Sequence, residues 1–408
     1  MKALGHIRIC DFTGQLAGAG ATKFLAAFGA EVIRIEDPVN QGRWDILRNM
    51  PPFVDERRGP DLSGAFNNHN VEKRGITLNL RTERGRELLG RLVAISDVVS
   101  ENFAAGVLAR MGFDYEGLRA LREDIIYVSN CGFGHSGPYS TFKTWGPIVQ
   151  AVCGLTFSSG LKGQPPAGWG YSYMDHTGAY TMAIAILMAL YHRARTGEGQ
   201  WVDVSCTEAG ATLNGPALLD YTVNGRRLRR EGMPDSNRSQ HPRMAPHGIY
   251  PAKGDDEWIA IACRDDADFA RIVPLFPGME ADRFATLDGR IANEDDLDAV
   301  VACTTSTRDK FELAAEIQRA GVPAAAVQKP EERIDRDVRT SEWGLWPTVE
   351  HSNIGKVRVD GLPVHLSETD WEMNRGAACL GEHNDYVYGE LLGLSASEIE
   401  SLRDEGVL

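Results

Sequence analysis

An uninterrupted apolar run between residues 177 and 191 predicts a buried helix in the middle of the chain. The run holds Ala, Ile, Leu and Met, with no charge and no proline, so the predicted helix has no polar face. His192 and the two arginines that follow it complement the dipole at the C-terminal end, and Gly197 ends the helix. The segment 200–205 alternates and is rich in β-branched residues, which predicts a strand.

A single carboxylate, Asp175, stands just before this helix. Exposed backbone N–H groups at a helix start favour an anion. Asp175 is therefore either an N-cap, which is the more frequent role and contributes about 1 kcal/mol, or a carboxylate nucleophile. An aspartate needs little activation for the second role, because its reference pKa of about 3.9 leaves it ionised at neutral pH. The local pattern leaves both interpretations open.

Strand and helix signals alternate from the start of the chain, which predicts an α/β fold with a doubly wound sheet. Strands are predicted at 6–12, 31–36, 76–80, 97–103, 125–130 and 200–205. A glycine-rich turn at 13–20 follows the first strand, but it lacks the third glycine of a dinucleotide fingerprint. This turn either brings N–H groups near an anion or carbonyl, or is only structural.

The composition of the chain changes after residue 225. Residues 226–247 are rich in Arg and Pro and poor in apolar residues, which is typical of a linker or wrapping loop. A new strand at 258–262 and a helix at 308–320 predict a second, smaller domain. We therefore divide the chain into a large domain, a linker with a small domain, and a C-terminal return to the large domain, at 1–225, 226–330 and 331–408.

Charge and cysteine content exclude several classes of protein. The chain of 408 residues has 43 Lys and Arg against 57 Asp and Glu, a net charge of −14, which argues against nucleic-acid and membrane-surface partners. Any anionic ligand must be met by local arginines and lysines. The seven cysteines are scattered without a CxxC pair, which predicts reduced thiols and no metal site. With no secretory signal and no confident membrane span, we expect a cytoplasmic protein.

Several stretches, in order and spacing, resemble the class III CoA-transferases, the group of formyl-CoA transferase and carnitine CoA-transferase. They are 29–36 (GAEVIRIE), 70–80 (NVEKRGITLNL), 101–103, 110–113, 132–138, 191–205 (YHRARTGEGQWVDVS), 321–323 and 380–384. The resemblance runs essentially from end to end. It implies a Rossmann-like large domain and a smaller α+β domain in an interlocked dimer, formed either by two copies or with a homologous chain.

The resemblance also implies that Asp175 is the nucleophile, because the family's catalytic aspartate stands just before the helix that precedes the RTGxGQ stretch. Asp175 would take CoA from an acyl-CoA donor as an aspartyl-CoA thioester and pass it to a carboxylic acid acceptor. CoA thioesters are then substrates, and no permanently bound cofactor is expected. We take succinyl-CoA as the default donor. The aromatic residues Trp44, Trp145, Trp169 and Tyr173 either have ordinary packing roles, which is the more frequent case, or line a pocket for an aromatic or substituted acid as acceptor.

Residues that match the family's CoA-binding positions carry the charge and stacking surface that a polyanion with an adenine requires. They are Leu78, Arg81, Asn102, Phe103, Arg110, Met111 and Lys143. Leu16 and Ala17 match the turn that faces the thioester, where backbone N–H groups would stabilise an oxyanion. The chain departs from the family at Asp37, where a basic residue is usual. It also lacks a glycine run in 228–248, which argues against oxalate and formate as substrates.

Two other functions remain open. An α-methylacyl-CoA racemase has the same fold but needs a His base after the Gly-Pro turn, and the corresponding segment 145–149 contains none. His135 and His176 are nearby, and we expect ordinary surface or packing roles for both. A CoA-binding subunit of a heteromeric transferase is the second alternative, and the presence of Asp175 argues against it.

Overall fold

The computed structural model describes residues 2–408. These residues form two compact units. The first unit comprises residues 2–157, 168–225 and 339–408, and the second comprises residues 158–167 and 226–338. Because the first unit contains the sheet and Asp175, it is described first and in more detail.

A six-stranded sheet forms the centre of the first unit. Its strands are β1 (Arg8–Phe12), β2 (Glu31–Glu36), β3 (Arg74–Thr77), β4 (Val98–Glu101), β5 (Ile126–Cys131) and β6 (Trp201–Ser205). All neighbouring pairs are parallel, in the order β3-β2-β1-β4-β5-β6. The strand order reverses between β1 and β4, and open α/β sheets bind ligands beyond the carboxyl ends of the strands at such a switch point.

Helices cover both faces of this sheet. They are α1 (Ala17–Ala27), α2 (Gly64–Asn70), α3 (Glu83–Ala94), α4 (Val107–Arg110), α5 (Tyr115–Leu121), α6 (Gly146–Val152), α7 (Leu155–Ser158), α8 (Tyr173–Thr196), α9 (Cys206–Leu213) and α10 (Gly215–Asn224), with 3₁₀ turns at Ile46–Asn49 and Val54–Glu56. Ile9 of β1 packs among α1 and α8 residues in one core, and its neighbour Cys10 packs with α3 in the other. This alternation is the two-residue period of a strand that is buried on both faces.

The predicted alternation of strands and helices is confirmed, with two corrections. β3 is Arg74–Thr77 rather than 76–80, because the chain turns away and the Asn79 N–H donates to the Val407 carbonyl. The central helix α8 is longer than predicted, and the expectation that it is buried on all sides is wrong within this chain. Its small residues pack against α1, whereas Ile184 and Met188 are 58% and 67% exposed.

The second unit has its own sheet and core. Strands β9 (His247–Pro251), β10 (Trp258–Ala262) and β11 (Ala324–Ala326) form an antiparallel sheet in the order β11-β10-β9. Its helices are α11 (Asp266–Ile272), α12 (Leu287–Ala292), α13 (Glu294–Thr305), α14 (Lys310–Arg319) and α15 (Pro330–Asp335), with 3₁₀ turns at Val273–Leu275 and Asp282–Phe284. The Arg- and Pro-rich stretch is partly ordered as a hairpin, β7 (Ser239–Gln240) and β8 (Arg243–Met244).

The C-terminal segment completes the first unit. It contains α16 (Val338–Glu342), the hairpin β12 (Thr348–His351) and β13 (Gly355–Arg358), a π-helix (Asp385–Leu391) and α17 (Ala396–Asp404). Tyr388 of the π-helix donates its hydroxyl to the Thr77 carbonyl and is buried against β3. Across residues 2–408, none of the helices combines the length and the apolar character needed to cross a membrane.

Candidate active site

Asp175 is the third residue of α8, so the N-cap interpretation is wrong. Ser172 occupies the N-cap position, and the backbone N–H of Asp175 donates to the Ser172 carbonyl at 3.0 Å. The half-buried Asp175 carboxylate instead accepts hydrogen bonds from the Ser172 side chain and from the backbone N–H of Gly146. Because α8 begins two residues earlier than Asp175, its carboxylate lies within the positive end of the helix dipole.

Gly146 allows this close approach because it has no side chain. A Cβ at this position would lie 2.7 Å from Asp175 Oδ2 and 2.9 Å from Ser172 Cβ. Gly146 is also the first residue of α6, and Pro147 follows it in the first turn, where a missing N–H costs nothing. The starts of α6 and α8 therefore meet at the carboxylate.

The Asp175 carboxylate is desolvated without a compensating cation. Burial raises its pKa to about 6, against the opposing effect of hydrogen bonds from Ser172 and Gly146. In the described residues no lysine or arginine forms an ion pair with Asp175. A carboxylate that has lost water and gained only two hydrogen bonds is a stronger nucleophile than an ion-paired one.

Apolar and neutral groups form the floor beneath Asp175. Met174 and Cys206 are buried in a small cluster with residues of α6 and α7, and Ala17 packs against this cluster. Burial and the neighbouring Asp175 charge raise the pKa of Cys206 to about 12, so its thiol is neutral. The Cys206 thiol donates to Asn130 Oδ1 at 3.1 Å. The floor therefore supplies no charge that would stabilise the carboxylate.

The two histidines differ in their surroundings. His176 stacks on Tyr171 with ring centroids 5.2 Å apart, and burial lowers its pKa, which confirms a packing role. His135 is not a surface residue. Its side chain is 9% exposed, and Nε2 lies 3.3 Å from Oε1 of the buried Glu101.

A cavity of about 540 Å³ opens at the carboxyl ends of β1, β2 and β4. Five of the residues predicted to bind CoA line it, namely Leu78, Arg81, Phe103, Arg110 and Met111. Neither Arg81 nor Arg110 forms an ion pair with a carboxylate in the described part of the chain, so both guanidinium groups are open to phosphates. Arg86, which the sequence did not indicate, adds a third guanidinium to this wall. Asp37 lies on the same wall.

A second cavity, of about 330 Å³, adjoins the first. Trp44 and Phe103 line both cavities, with ring centroids 5.1 Å apart. Asn102 and Lys143, both predicted, lie on the wall of the second cavity. Trp145 also lines the second cavity, and the next residue is Gly146, which lies against the Asp175 carboxylate. The two adjoining cavities, which share Trp44 and Phe103, are together called the groove.

The glycine-rich turn between β1 and α1 is fixed by Asn102. The Gly14 N–H donates to Asn102 Oδ1 at 2.7 Å, and Asn102 Nδ2 donates to the Gly14 carbonyl at 3.0 Å. A Cβ on Gly18 would lie 2.7 Å from the Asn102 amide. Leu16 and Ala17 lie behind Gln15, which is the residue of this turn that lines the second cavity. Their contact with a thioester stays a prediction.

Buried ion pairs support this turn from below. Arg34 pairs with Asp45 at 2.7 Å and donates to the Thr13 carbonyl. Lys73 Nζ lies 3.5 Å from Asp11 Oδ2 and donates to the Ala19 carbonyl at 3.0 Å. Arg34 of the 29–36 stretch and Lys73 of the 70–80 stretch are thus buried and fix backbone carbonyls rather than ligand atoms.

Comparison with known proteins identifies this arrangement. Residues 4–384 match the family model described as CoA-transferase family III. The chain belongs to CoA-transferase family III. This places it among the class III CoA-transferases, which are transferase enzymes that act on CoA thioesters.

Individual relatives cover nearly the whole transferase chain. It is 33% identical over 393 residues to a succinate–glutarate CoA-transferase of Agrobacterium fabrum, covering 95% of both chains. It is 30% identical to a succinyl-CoA–D-citramalate CoA-transferase of Chloroflexus aurantiacus, covering 100% of this chain and 98% of the relative. The crystal structure of a CAIB/BAIF family protein from Brucella suis superposes with a TM-score of 0.84 at 30% identity, covering 96% and 99% of the two chains.

Gly146→Ala tests the contact between α6 and the carboxylate. The added Cβ would lie 2.7 Å from Asp175 Oδ2, so the carboxylate must move away from it. We expect kcat to fall about 100-fold, which is the usual effect of misplacing a reacting group by about 1 Å. Gly90→Ala, in α3, is the matched control, because its Cβ would meet Leu121 at an ordinary 3.7 Å. Equal kcat values for the two folded variants would show that the contact is unimportant.

Asp175→Asn tests the desolvation of the carboxylate through stability. The pKa of Asp175 rises from 3.8 to about 6 on folding, so its contribution to stability is fully present below about pH 4 and is lost as the pH rises through 6. The neutral amide avoids this loss, and we expect Asp175→Asn to raise the free energy of unfolding by about 1–3 kcal/mol at pH 8. Near pH 4 the two proteins should unfold at the same urea concentration. A difference that is independent of pH would contradict the desolvation.

Proposed function

We propose that this family III transferase moves CoA between carboxylic acids through an aspartyl-CoA thioester on Asp175. The observation that carries the proposal is a desolvated carboxylate without an ion-pair partner in the described residues. It lies against Gly146, whose neighbour Trp145 lines the groove, and the larger cavity of that groove carries open guanidinium groups. A nucleophile for acyl transfer must be ionised but weakly solvated, and this carboxylate meets both conditions above about pH 6.

The reaction consists of four substitutions at carbonyl carbon. Asp175 attacks the donor thioester, the C–S bond breaks, and a mixed anhydride and CoA thiolate form. The thiolate then attacks the Asp175 carbonyl carbon and releases the donor carboxylate, which leaves the aspartyl-CoA thioester. The acceptor carboxylate attacks that thioester and expels the thiolate again. Attack of the thiolate on the acceptor acyl carbon forms the new acyl-CoA and frees Asp175, with no net proton change.

The groups around Asp175 suit the second and third steps. During both steps the Asp175 carbonyl carbon becomes tetrahedral, and negative charge develops on its oxygen. The Gly146 N–H and the Ser172 hydroxyl already donate to this carboxylate, so they would act as a preorganised oxyanion hole for the aspartyl centre. The α6 and α8 helix starts favour the same charge.

The nucleotide of CoA would occupy the larger cavity. Arg81, Arg86 and Arg110 supply charge for the phosphates, and Met111 and Phe103 supply surfaces for the adenine and the turn below it. The pantetheine arm would run past Trp44 and Lys143 to Trp145. In this arrangement Arg86 compensates for Asp37, which stands where the family usually has a basic residue.

We propose succinyl-CoA as the donor and a substituted dicarboxylic acid as the acceptor. The relatives named above are named for succinate with glutarate and for succinyl-CoA with D-citramalate, which supports a dicarboxylate. Trp145, Trp169 and Tyr173 are 52%, 45% and 37% exposed near the start of α8, and Trp169 packs edge-on against Tyr173 at 4.9 Å. These rings would give the acceptor side room for an aromatic or branched substituent.

We also propose that two chains associate through the exposed face of α8. Ile184, Met188 and Tyr191 are 58%, 67% and 65% exposed, and Leu218 and Val223 of α10 are 60% and 75% exposed. Apolar patches of this kind mark interfaces. The partner would be a second copy or a homologous chain. The division of the chain into 1–225, 226–330 and 331–408, and a cytoplasmic location, stay predictions.

The function is tested by CoA transfer from succinyl-CoA to a panel of dicarboxylic acids, run in heavy water. Asp175→Asn should abolish transfer while CoA still binds, because the amide cannot form the thioester. The control, Glu208→Gln, changes an exposed carboxylate in the first turn of α9 and should transfer normally. α-Proton exchange of branched acyl-CoA without transfer would instead indicate a racemase, and CoA binding without either reaction would indicate a binding subunit.

Arg110→Met tests the nucleotide site. Loss of one charge-assisted contact with phosphate should raise KM for the acyl-CoA about tenfold and leave KM for the acceptor acid unchanged. Arg84→Met is the control, because Arg84 is exposed and pairs with Glu87 at 2.8 Å instead of lining the cavity. Equal effects of the two substitutions would place the nucleotide elsewhere.

The oligomeric state is measured by light scattering after gel filtration. We expect about twice the chain mass of 44.8 kDa, and Met188→Glu should shift the protein toward monomer because it places a charge on the apolar face. A stable wild-type monomer would contradict the proposed interface.

A further inference from the structure

Cys131 is a thiol that the transfer mechanism does not use. It is the last residue of β5 and lines the second cavity together with Lys143 and Trp145. It is half-buried, whereas Cys10, Cys153, Cys206 and Cys263 are buried. Because Cys131 lies on the wall of the groove, its thiol would contact any sulfur-containing ligand that binds there.

An imidazole and a carboxylate stand behind this thiol. The His135 side chain neighbours Cys131 and Glu101, and its buried Nε2, which has no hydrogen-bond partner, lies 3.3 Å from Glu101 Oε1. Glu101 is itself fixed, since Oε1 accepts from the Tyr127 hydroxyl at 2.9 Å and Oε2 from the Phe103 N–H at 2.6 Å. Thiol, imidazole and carboxylate therefore form a row of neighbouring side chains.

His135 places a positive charge beside Cys131. Burial alone would lower the pKa of His135, but the contacts with Cys131 and Glu101 outweigh it and raise that pKa to about 10. An imidazolium next to a thiol stabilises the thiolate. The other titratable groups that face the row are Asp203, whose carboxylate accepts from the His135 backbone N–H at 2.9 Å, the neutral Cys206 thiol, and the Tyr127 hydroxyl.

We propose that Cys131 is a thiol–disulfide exchange site for disulfides of coenzyme A. The nucleotide of such a disulfide would bind in the larger cavity and deliver its sulfur to Cys131 along the second cavity. The inference rests on the proposed CoA groove, and it gives the enzyme a reversible response to oxidation of the CoA pool. CoA held on Cys131 would fill the groove and exclude an acyl-CoA from Asp175.

The exchange needs only a CoA disulfide as co-reactant. The Cys131 thiolate attacks the CoA sulfur of CoA–S–S–R, a new S–S bond forms, the original S–S bond breaks, and R–S⁻ leaves and takes a proton from solvent. Cys131 is oxidised to the mixed disulfide and the R–S half is reduced, so electrons balance. Dithiothreitol reverses the step and restores the thiol.

The test uses the full chain and the mixed disulfide of CoA with 2-mercaptoethanol. We expect a CoA-sized adduct on the peptide that contains Cys131, loss of transfer in proportion to the adduct, and recovery of both with dithiothreitol. The corresponding disulfide of pantetheine, which lacks the nucleotide, should react at least about tenfold more slowly, and desulfo-CoA should protect. Equal rates for the two disulfides, or no adduct at Cys131, would overturn the proposal.

Variants locate the reacting sulfur. Cys131→Ala should form no adduct. Its transfer rate should be the same with and without the CoA disulfide. Cys303→Ala, at an exposed cysteine of the second unit, should be inhibited like the wild type. Inhibition of Cys131→Ala to the same extent as the wild type would overturn the proposal.

His135→Gln tests the positioning residue through the pH profile of adduct formation. The wild type should react about tenfold faster than the variant at pH 7, and this ratio should fall toward one as the pH rises through about 10, where His135 loses its positive charge. A ratio that does not change with pH would remove His135 from the proposal. The Cys131 adduct is released by dithiothreitol and an aspartyl thioester by hydroxylamine, so a failure of Asp175 as nucleophile and a failure of Cys131 as exchange site give different results.

Discussion

The structure depends on one contact, in which a carboxylate that has lost most of its water is held by an N–H group of a second helix. Asp175 approaches the α6 start closely only because residue 146 is glycine, and no cation in the described residues compensates the charge. The enzyme thereby keeps its carboxylate ionised above about pH 6 but poorly solvated. This is a cost to the folded state that the proposed chemistry at Asp175 would explain.

The buried charges elsewhere in the first unit show the contrast. Glu36 is also buried, but Arg34 and Arg48 outweigh its desolvation and lower its pKa. That network fixes the turn after β1 and positions the wall of the larger cavity. Glu36 is therefore a structural carboxylate that arginines neutralise. Asp175 is a buried carboxylate that has no such cation. The difference in pKa direction separates structural acids from the candidate nucleophile.

Much of the fold follows from the sequence, because the strands of a parallel sheet buried on both faces are short apolar runs between clear helix signals. The alternation around β1, β2, β4, β5 and β6 was predictable for this reason. The exposed face of α8 was not, since an apolar run does not reveal what covers it. The choice of Asp175 as nucleophile and seven residues of the cavity walls could be predicted only through family resemblance. Gly146 and Arg86 could not be predicted in this way, because their roles depend on contacts between separate segments of the chain.

The most direct measurement is peptide mass spectrometry of the enzyme mixed with succinyl-CoA and quenched in acid. The account predicts a CoA-sized adduct on the peptide that contains Asp175, removed by hydroxylamine and absent from Asp175→Asn. An enzyme that transfers CoA at full rate without such an adduct, or with the adduct on another carboxylate, would contradict the central claim.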